Sequence, residues 1–453
     1  MTTPTSHTAK HSFRTFLILW FTQSFSSFGT ILALFAIDIW LVQSLFPAES
    51  QKAELGLAFA AIQLAVALPG VLGAPFAGSW ADRHNRRHIM LAADLLNGAL
   101  CGLLLLFLAV GQLSVPGLVV FIGLVTLVGL FHSSAFDTSY VHLVSEAQLP
   151  RANSMMQTMQ TLAQLFAPGA AAALMSLPAL MRQISGSNPI GQWLARLHDG
   201  FGLTIAIDLL SYWLSALILW RLVIPSPPKA AGIHTQGTFW DDVKLGFRFV
   251  QTHPAHLLLL IGVALANVIY GFLNVNIALI VKYNLGADWA ARGWSFEVAL
   301  AFVVTALSLA GVTAGFAISA WGGLKRNRIY GVMTGLIGYG VGCALFGFAT
   351  QIYLAAAAQV LAIAALVFMN VHSQTIWQTT TPPEVQGRVF AVRTLIGRGA
   401  WPVSTAIGGL VGGRFDPGLS VGILSSVCTV FFVVLLFDRR LRQMEAAPAN
   451  PAS

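Results

Sequence analysis

The chain is 453 residues long, 56% hydrophobic and only 9% charged, with a mean hydropathy of +0.73. Soluble globular domains carry about 25% charged residues, so this composition excludes a water-soluble globule and makes lipid the main solvent. The formal net charge is +8, but no single polar segment collects it, which excludes nucleic-acid binding as its meaning. A membrane-crossing helix needs about 20 apolar residues. Runs of that kind fall, in chain order, at 15–42, 55–77, 89–110, 115–138, 154–178 and 202–224. They continue at 256–281, 295–321, 329–349, 352–376, 391–413 and 419–437. Ten-residue alternation of the barrel type does not occur. The first run is too long for a signal peptide and has no small-residue cleavage site, so it is expected to stay as the first span. The expectation is an all-α polytopic membrane protein with about twelve transmembrane helices.

The cationic residues sort themselves around these runs. With the N-terminus placed in the cytoplasm, 18 Lys and Arg fall in inside segments and six in outside segments or helix ends, with Arg398 left within a helix. Cytoplasmic loops favour Lys and Arg, so both termini are expected inside. The cysteines Cys101, Cys343 and Cys428 all fall in apolar runs with no zinc or redox spacing, so no disulfide, metal or cofactor is expected.

The chain repeats itself. "LVGLFHSSAF" resembles "VFMNVHSQTI", with His132 against His372. "AGSWADRHNRR" is echoed by "SAWGGLKRNR", with Trp80 against Trp321. Arg151 pairs with Arg388, and Pro168 with Pro402. The four matches keep one order and lie 234 to 241 residues apart. Six helices were therefore duplicated, giving bundles at 1–224 and 256–453 joined by a cytoplasmic linker, 225–255. Within that linker, 239–250 has the pattern of a short amphipathic helix on the membrane surface. Two parallel six-helix repeats are one of the transporter architectures.

The segment "GSWADRHNRR" carries a family resemblance. It resembles the signature loop between helices 2 and 3 of the major facilitator superfamily, with Gly78, Asp82, Arg83, Arg86 and Arg87 in the motif positions and Asn85 where many members have glycine. "VSEAQLPRANSMMQ", "GLTIAIDLLSYWLSALIL", "FWDDVKLGFRFVQTHP" and "TPPEVQGRVFAVR" extend the likeness to the drug:proton antiporter branch that includes macrolide efflux pumps and the enterobactin exporter. The resemblance implies two pseudo-symmetric six-helix bundles in the major facilitator fold. It also places Asp82 beside the start of helix 11, near Arg388, as a latch on the cytoplasmic side. Gly78 is expected to allow close packing at the end of helix 2. The second copy of the loop has lost the aspartate, so a second latch is expected to be weaker or absent.

Ionisable residues inside a membrane usually face a cavity or a partner. Asp38, near the end of the first run, is the first proton-coupling candidate; an interfacial carboxylate in water is the other reading. His132 and His372 hold equivalent places in the two halves, and histidine as a residue type suits proton carriage. Asp94, with Asn97 at i+3, and Asp208, with Ser211 and Ser215 at i+3 and i+7, join the candidates. Their helices are peripheral in this superfamily, which also gives them a structural reading. Glu297 reads as solvated. Gln23, Ser27 and Thr30 share one face of helix 1, Asn267, Tyr270 and Asn274 one face of helix 7, and Asn370, Ser373, Gln374 and Trp377 one face of helix 10. Amides beside aromatics suit a wide, tolerant substrate cavity. Arg398 lies ~15 Å beyond Arg388 along a helix, deep enough to need a partner, which Asp94, Asp137 or an anionic substrate supplies.

These features point to a secondary transporter that is not an enzyme: a proton-coupled exporter of small amphipathic molecules of the drug or siderophore class. It is expected as a monomer in the bacterial inner membrane, with lipid, substrate and protons as its partners. A lysophospholipid flippase, an uptake carrier, sodium coupling and a non-transporting sensor are the alternatives. No Walker A loop is present to use ATP. Asp82→Asn keeps the side-chain shape and removes its charge. A lost latch of ~1–2 kcal/mol shifts a two-state balance roughly 5–30-fold, so export is expected to slow while cytoplasmic substrate still binds. Export at the wild-type rate would show that Asp82 is not a latch.

Overall fold

The computed structural model describes residues 6–145, 148–184, 188–222 and 239–445. Helices account for nearly all of these residues, and no strand occurs among them. Among the described residues, eleven helices are long and apolar enough to cross a membrane. A twelfth long helix carries Arg388, Arg393 and Arg398 and is not among the eleven.

Contacts divide the chain into two compact units, one of residues 1–47 and 65–233, the other of 48–64 and 234–453. The first unit holds α1 (Ser6–Trp40), most of α2 (Lys52–Arg83), α3 (Arg86–Ala109), α4 (Val115–Leu143), α5 (Leu149–Ile184), the short α6 (Pro189–Arg196) and α7 (Phe201–Arg221). Its core includes Phe16, Leu19, Ala81, Met90, Ala135 and Leu219. The Trp20 indole N–H donates to the Met155 carbonyl at 2.9 Å, tying α1 to α5.

The second unit holds α8 (Phe239–Thr252), α9 (Pro254–Leu279), α10 (Gly286–Ala291), α11 (Phe296–Trp321), α12 (Arg328–Phe348), α13 (Ile352–Thr380), α14 (Pro383–Arg414), α15 (Pro417–Leu436) and α16 (Arg439–Arg442). The amphipathic pattern at 239–250 thus forms a helix, and this helix packs on α14. A methyl group at Gly246 would stand 2.5 Å from the Arg388 carbonyl oxygen. The start of α2 also belongs to this unit. A methyl group at Gly56 would lie 2.5 Å from the Gly409 carbonyl, and one at Gly409 would lie 2.4 Å from the Ala60 methyl. Such backbone approach is what small residues permit between membrane helices.

Two structural features repeat along with the sequence. α1 ends in a π-helical turn, Leu41–Leu45, and α9 ends in another, Ile280–Asn284, 239 residues later. Pro168 lies inside α5 and Pro402 inside α14. π-turns are rare insertions, so their recurrence at this spacing supports the duplication independently of side-chain identity.

Four expectations need correction. α2 does not stop at 77; it continues to Arg83, and α3 begins at Arg86. The signature segment is therefore mostly helix, and its reversal is confined to His84 and Asn85. Asn85 accepts a hydrogen bond from the His88 N–H and caps α3, which is why asparagine serves there. Gly78 does not mediate close packing, since a methyl group on it meets no described atom within 4 Å. The last long helix but one starts at Pro383 rather than 391, because charged residues near a membrane surface extend a helix as readily as they end it. Glu297 is buried, 8% exposed, in the first turn of α11 rather than solvated.

The contrast between the two glycines is testable. Gly56→Ala forces the α2–α14 backbones apart, and overpacking of this kind costs about 1–3 kcal/mol. Purified Gly56→Ala carrier is expected to melt several degrees below wild type. Gly78→Ala, which adds a methyl in open space and improves helix propensity, is expected to melt at or above it. Equal melting of both variants would contradict the packing described.

Candidate functional site

The first unit holds a cavity of ≈ 500 Å³ lined by α1, α2, α3, α4, α5 and α7. Its polar wall starts on α1. The Gln23 amide nitrogen donates to Ser215 Oγ of α7 at 3.2 Å. The Ser215 hydroxyl donates onward to Asp94 Oδ2 of α3 at 2.6 Å. Asp94 Oδ1 lies 3.4 Å from His132 Nε2 of α4, and that nitrogen lies 3.2 Å from the Gln23 amide nitrogen. Four side chains from four helices thus close a ring. All four are buried, Asp94 to 2% exposure.

The ring puts one nitrogen to two uses. A neutral imidazole nitrogen carries either a proton or a lone pair, never both. With a proton, His132 Nε2 donates to Asp94. Without one, it accepts from the Gln23 amide. The two contacts therefore belong to different placements of the ring proton, a change of tautomer or of charge. Asp94 keeps the Ser215 hydroxyl in either state.

A second carboxylate lines the same cavity. Asp208 of α7 accepts from the Thr30 hydroxyl at 3.4 Å and from the Cys101 thiol at 3.6 Å. Thr30 and Tyr212 share a further hydrogen bond of 2.8 Å. Gly29 makes room for this group: a methyl there would stand 2.9 Å from Asp208 Oδ1. Asn97 also lines the cavity, and its Oδ1 is buried with no hydrogen-bond partner among the described residues.

The candidates therefore separate. Gln23, Ser27, His132, Asp94 and Asp208 come together around one cavity, with the exposed Asp137 at its rim. Asp38 does not line it. His372, the repeat partner of His132, occupies a different chemical setting. Its Nδ1–H donates to the Phe368 carbonyl at 2.8 Å, and its Nε2 accepts from the Leu324 N–H at 2.9 Å. It anchors the turn between α11 and α12, where Gly322 and Gly323 have positive φ.

In the second unit the expected face of helix 10 is split. Asn370 and Gln374 are not buried, whereas Ser373 and Trp377 are fully so. Arg393 donates to Gln374 Oε1 at 2.6 Å and to Ser373 Oγ at 3.5 Å, with its guanidinium 5.6 Å from the Trp377 ring. The Asn267 amide bonds its own helix at the Val263 carbonyl, 2.9 Å away, and Tyr270 packs edge-on against Trp401. Asn274 is half-buried.

The signature arginines differ as well. Arg83 is exposed and Arg86 is buried. Arg87 donates to the Leu219 carbonyl at 3.0 Å and to the Trp220 carbonyl, so it caps the C-terminus of α7. Arg388 is exposed. The side chains of Asp82 and Arg398 lie outside the described residues, and the pairings expected of them lie there too. Sequence reasoning missed Tyr212 and Cys101 as neighbours of Asp208. Tyr212 stands at i+4 from Asp208, and that spacing was the available signal.

Residues 19–405 match the family model described as Major Facilitator Superfamily. Over 162 residues the chain is 25% identical to macrolide efflux protein A of Streptococcus pyogenes, a match covering 36% of this chain and 38% of that protein. A solved D-xylose–proton symporter superposes with a TM-score of 0.63 at 16% identity, covering 95% of this chain and 98% of the other. The nucleoside transporter NupG superposes at 0.60 with 12% identity, covering 95% and 100%. At these identities the structural likeness speaks for the fold.

Among the arginines, the cap is the testable one. A cation on the last carbonyls of a helix contributes about 0.3–2 kcal/mol. Arg87→Gln is expected to lower the melting temperature of the purified protein, and Arg83→Gln to leave it unchanged. The reverse order would contradict the capping role.

Proposed function

The chain belongs to the major facilitator superfamily, and on that premise we propose that it is a proton-coupled exporter of small amphipathic molecules that works by alternating access. The observation that carries the reading is the shared nitrogen of His132, 3.4 Å from Asp94 and 3.2 Å from the Gln23 amide. A proton-coupled carrier needs a group whose proton changes what its neighbours bond to, inside the cavity that the substrate enters. This ring meets that need with buried side chains from four helices.

The cycle follows from the two hydrogen-bonding patterns. With the proton on His132, the imidazolium and the Asp94 carboxylate neutralise each other. When the proton leaves, Asp94 is negative, the Gln23 amide engages His132, and the cavity gains one negative charge. Substrate and proton then compete for the cavity through that charge, which is the linkage an antiporter requires. Asp38 stays as a further candidate near the end of α1, and the Asp82 latch as the proposed inner gate. The efflux direction is supported by the partial likeness to macrolide efflux protein A, whose name concerns that protein. A bacterial plasma membrane, cytoplasmic termini and a monomeric carrier complete the proposal.

The test is accumulation of a panel of amphipathic compounds in a pump-deficient bacterial host, with and without an uncoupler. Wild-type carrier is expected to lower accumulation of at least one compound, and the uncoupler to restore it. Asp94→Asn and His132→Gln are each expected to abolish the uncoupler-sensitive part while leaving protein levels unchanged. Uncoupler-sensitive export that persists in both variants would overturn this assignment of the coupling site.

A further inference from the structure

Six cations gather on one face of the second unit. Lys325, Arg326 and Arg328 stand on the turn from α11 into α12, and Arg439, Arg440 and Arg442 form α16. The two segments meet through residues 116 apart in sequence: the Ile329 N–H donates to the Glu445 carboxylate at 3.2 Å. Both are firmly built. Gly322, Gly323 and Asn327 hold positive φ in the turn, and the Leu324 N–H is bound to His372. Leu441 and Met444 are buried and seat α16 against the unit.

The acids of these two segments do not pair with the cations. Asp438 accepts from the Arg440 and Leu441 N–H groups at 2.8 and 3.4 Å and caps α16. Glu445 is taken by the Ile329 N–H. None of the six cations forms an ion pair among the described residues. Arg328 and Arg442 are instead oriented through Nε, which donates to the Leu324 carbonyl at 3.2 Å and to the Leu436 carbonyl at 2.9 Å. A guanidinium held in this way keeps its terminal N–H groups for another partner, and their planar fork matches a phosphate.

The position of the cations says what that partner is. They stand where three membrane-length helices end, α11 at Trp321, α12 at Arg328 and α15 at Leu436. Trp321 is 57% exposed and Phe437 66%, and exposed aromatics at span ends sit at the lipid headgroup level. Basic clusters at that level attract anionic lipids. The first-half copy of this turn carries an aspartate, Asp82, among its arginines, whereas the second copy has no acid. Its field is therefore wholly cationic.

We propose that the α11–α12 turn and α16 form a binding surface for the headgroup of an anionic phospholipid. The guanidinium groups receive the phosphate, and the acyl chains lie on the apolar surface beside Val434 and Phe437, both exposed. This surface is separate from the cavity of the first unit and does not depend on what the carrier transports.

The experiment is native mass spectrometry of the purified full-length carrier in non-ionic detergent. It is titrated with dioleoylphosphatidylglycerol or with dioleoylphosphatidylcholine, which have the same chains. Wild type is expected to bind the anionic lipid at least about tenfold more tightly, the effect of between one and two charges at an anionic lipid surface. Combined Lys325→Gln, Arg326→Gln, Arg439→Gln and Arg440→Gln is expected to cut that preference below about threefold. Removing four exposed cations elsewhere, by Arg196→Gln, Lys244→Gln, Arg248→Gln and Arg414→Gln, is expected to keep it. Arg326→Lys, Arg439→Lys and Arg440→Lys together are expected to keep most of it, and melting temperatures check that each variant is folded. Two measurements need no variant. Added salt is expected to weaken binding of the anionic lipid alone, and excess glycerol 1-phosphate is expected not to displace it. Equal binding of the two lipids, a preference that survives the first quadruple variant, or an equal loss in both quadruple variants would overturn the proposal. Displacement by glycerol 1-phosphate would overturn it too, because the site would then take small phosphates rather than lipid.

Discussion

The ring of Gln23, Ser215, Asp94 and His132 is the constraint on which the first unit depends. Each member comes from a different helix, and each is buried where an unpaired polar group would be costly. Removing any one leaves at least one neighbour short of a side-chain partner. The ring therefore fixes how α1, α3, α4 and α7 sit around the cavity. It also sets His132 Nε2 between an amide donor on one side and a carboxylate on the other.

Duplication supplied the scaffold, and divergence supplied the chemistry. The π-turns after α1 and α9 and the prolines inside α5 and α14 show that the backbone plan was kept. The histidines did not keep a common role. His132 meets a carboxylate in a cavity, whereas His372 is held by two backbone groups at the α11–α12 turn. That turn contains two glycines at positive φ, which let its backbone fold back onto the imidazole. The equivalent segment in the first half is an Asn85-capped helix start with one aspartate and three arginines in its sequence. Equivalent positions thus carry a histidine beside a carboxylate in one half and a histidine held by backbone groups in the other.

Much of this was legible in the sequence. The helices, the repeat and the cavity-facing residues of helix 1 follow from apolar run length, spacing and periodicity, and Asp94, Asp208 and His132 were visible as polar groups in apolar runs. Their meeting was not, because periodicity places a residue on a face of its own helix and says nothing of which helix lies opposite. The family pattern of peripheral helices 3 and 6 pointed Asp94 and Asp208 toward structural roles, yet both line the cavity. Asp38 looked strongest on helix 1, but it lies beyond the polar wall. Gly78 was read as a packing contact, although the close approaches fall at Gly56 and Gly409, where the sequence offers only one small residue among many. α2 ends at Arg83 and α14 starts at Pro383, past the apolar runs, because charge near a membrane surface does not stop a helix.

Asp94 and His132, 3.4 Å apart, are proposed to hold one proton between them and to give it up together. Proton release on substrate binding, measured in a lightly buffered suspension of purified carrier, tests it most directly. Release is expected from the wild type, with loss of that release in Asp94→Asn and in His132→Gln and no further loss in the double variant. Release that falls by half in each single variant and to zero only in the double variant would mean two independent proton sites and would contradict the account.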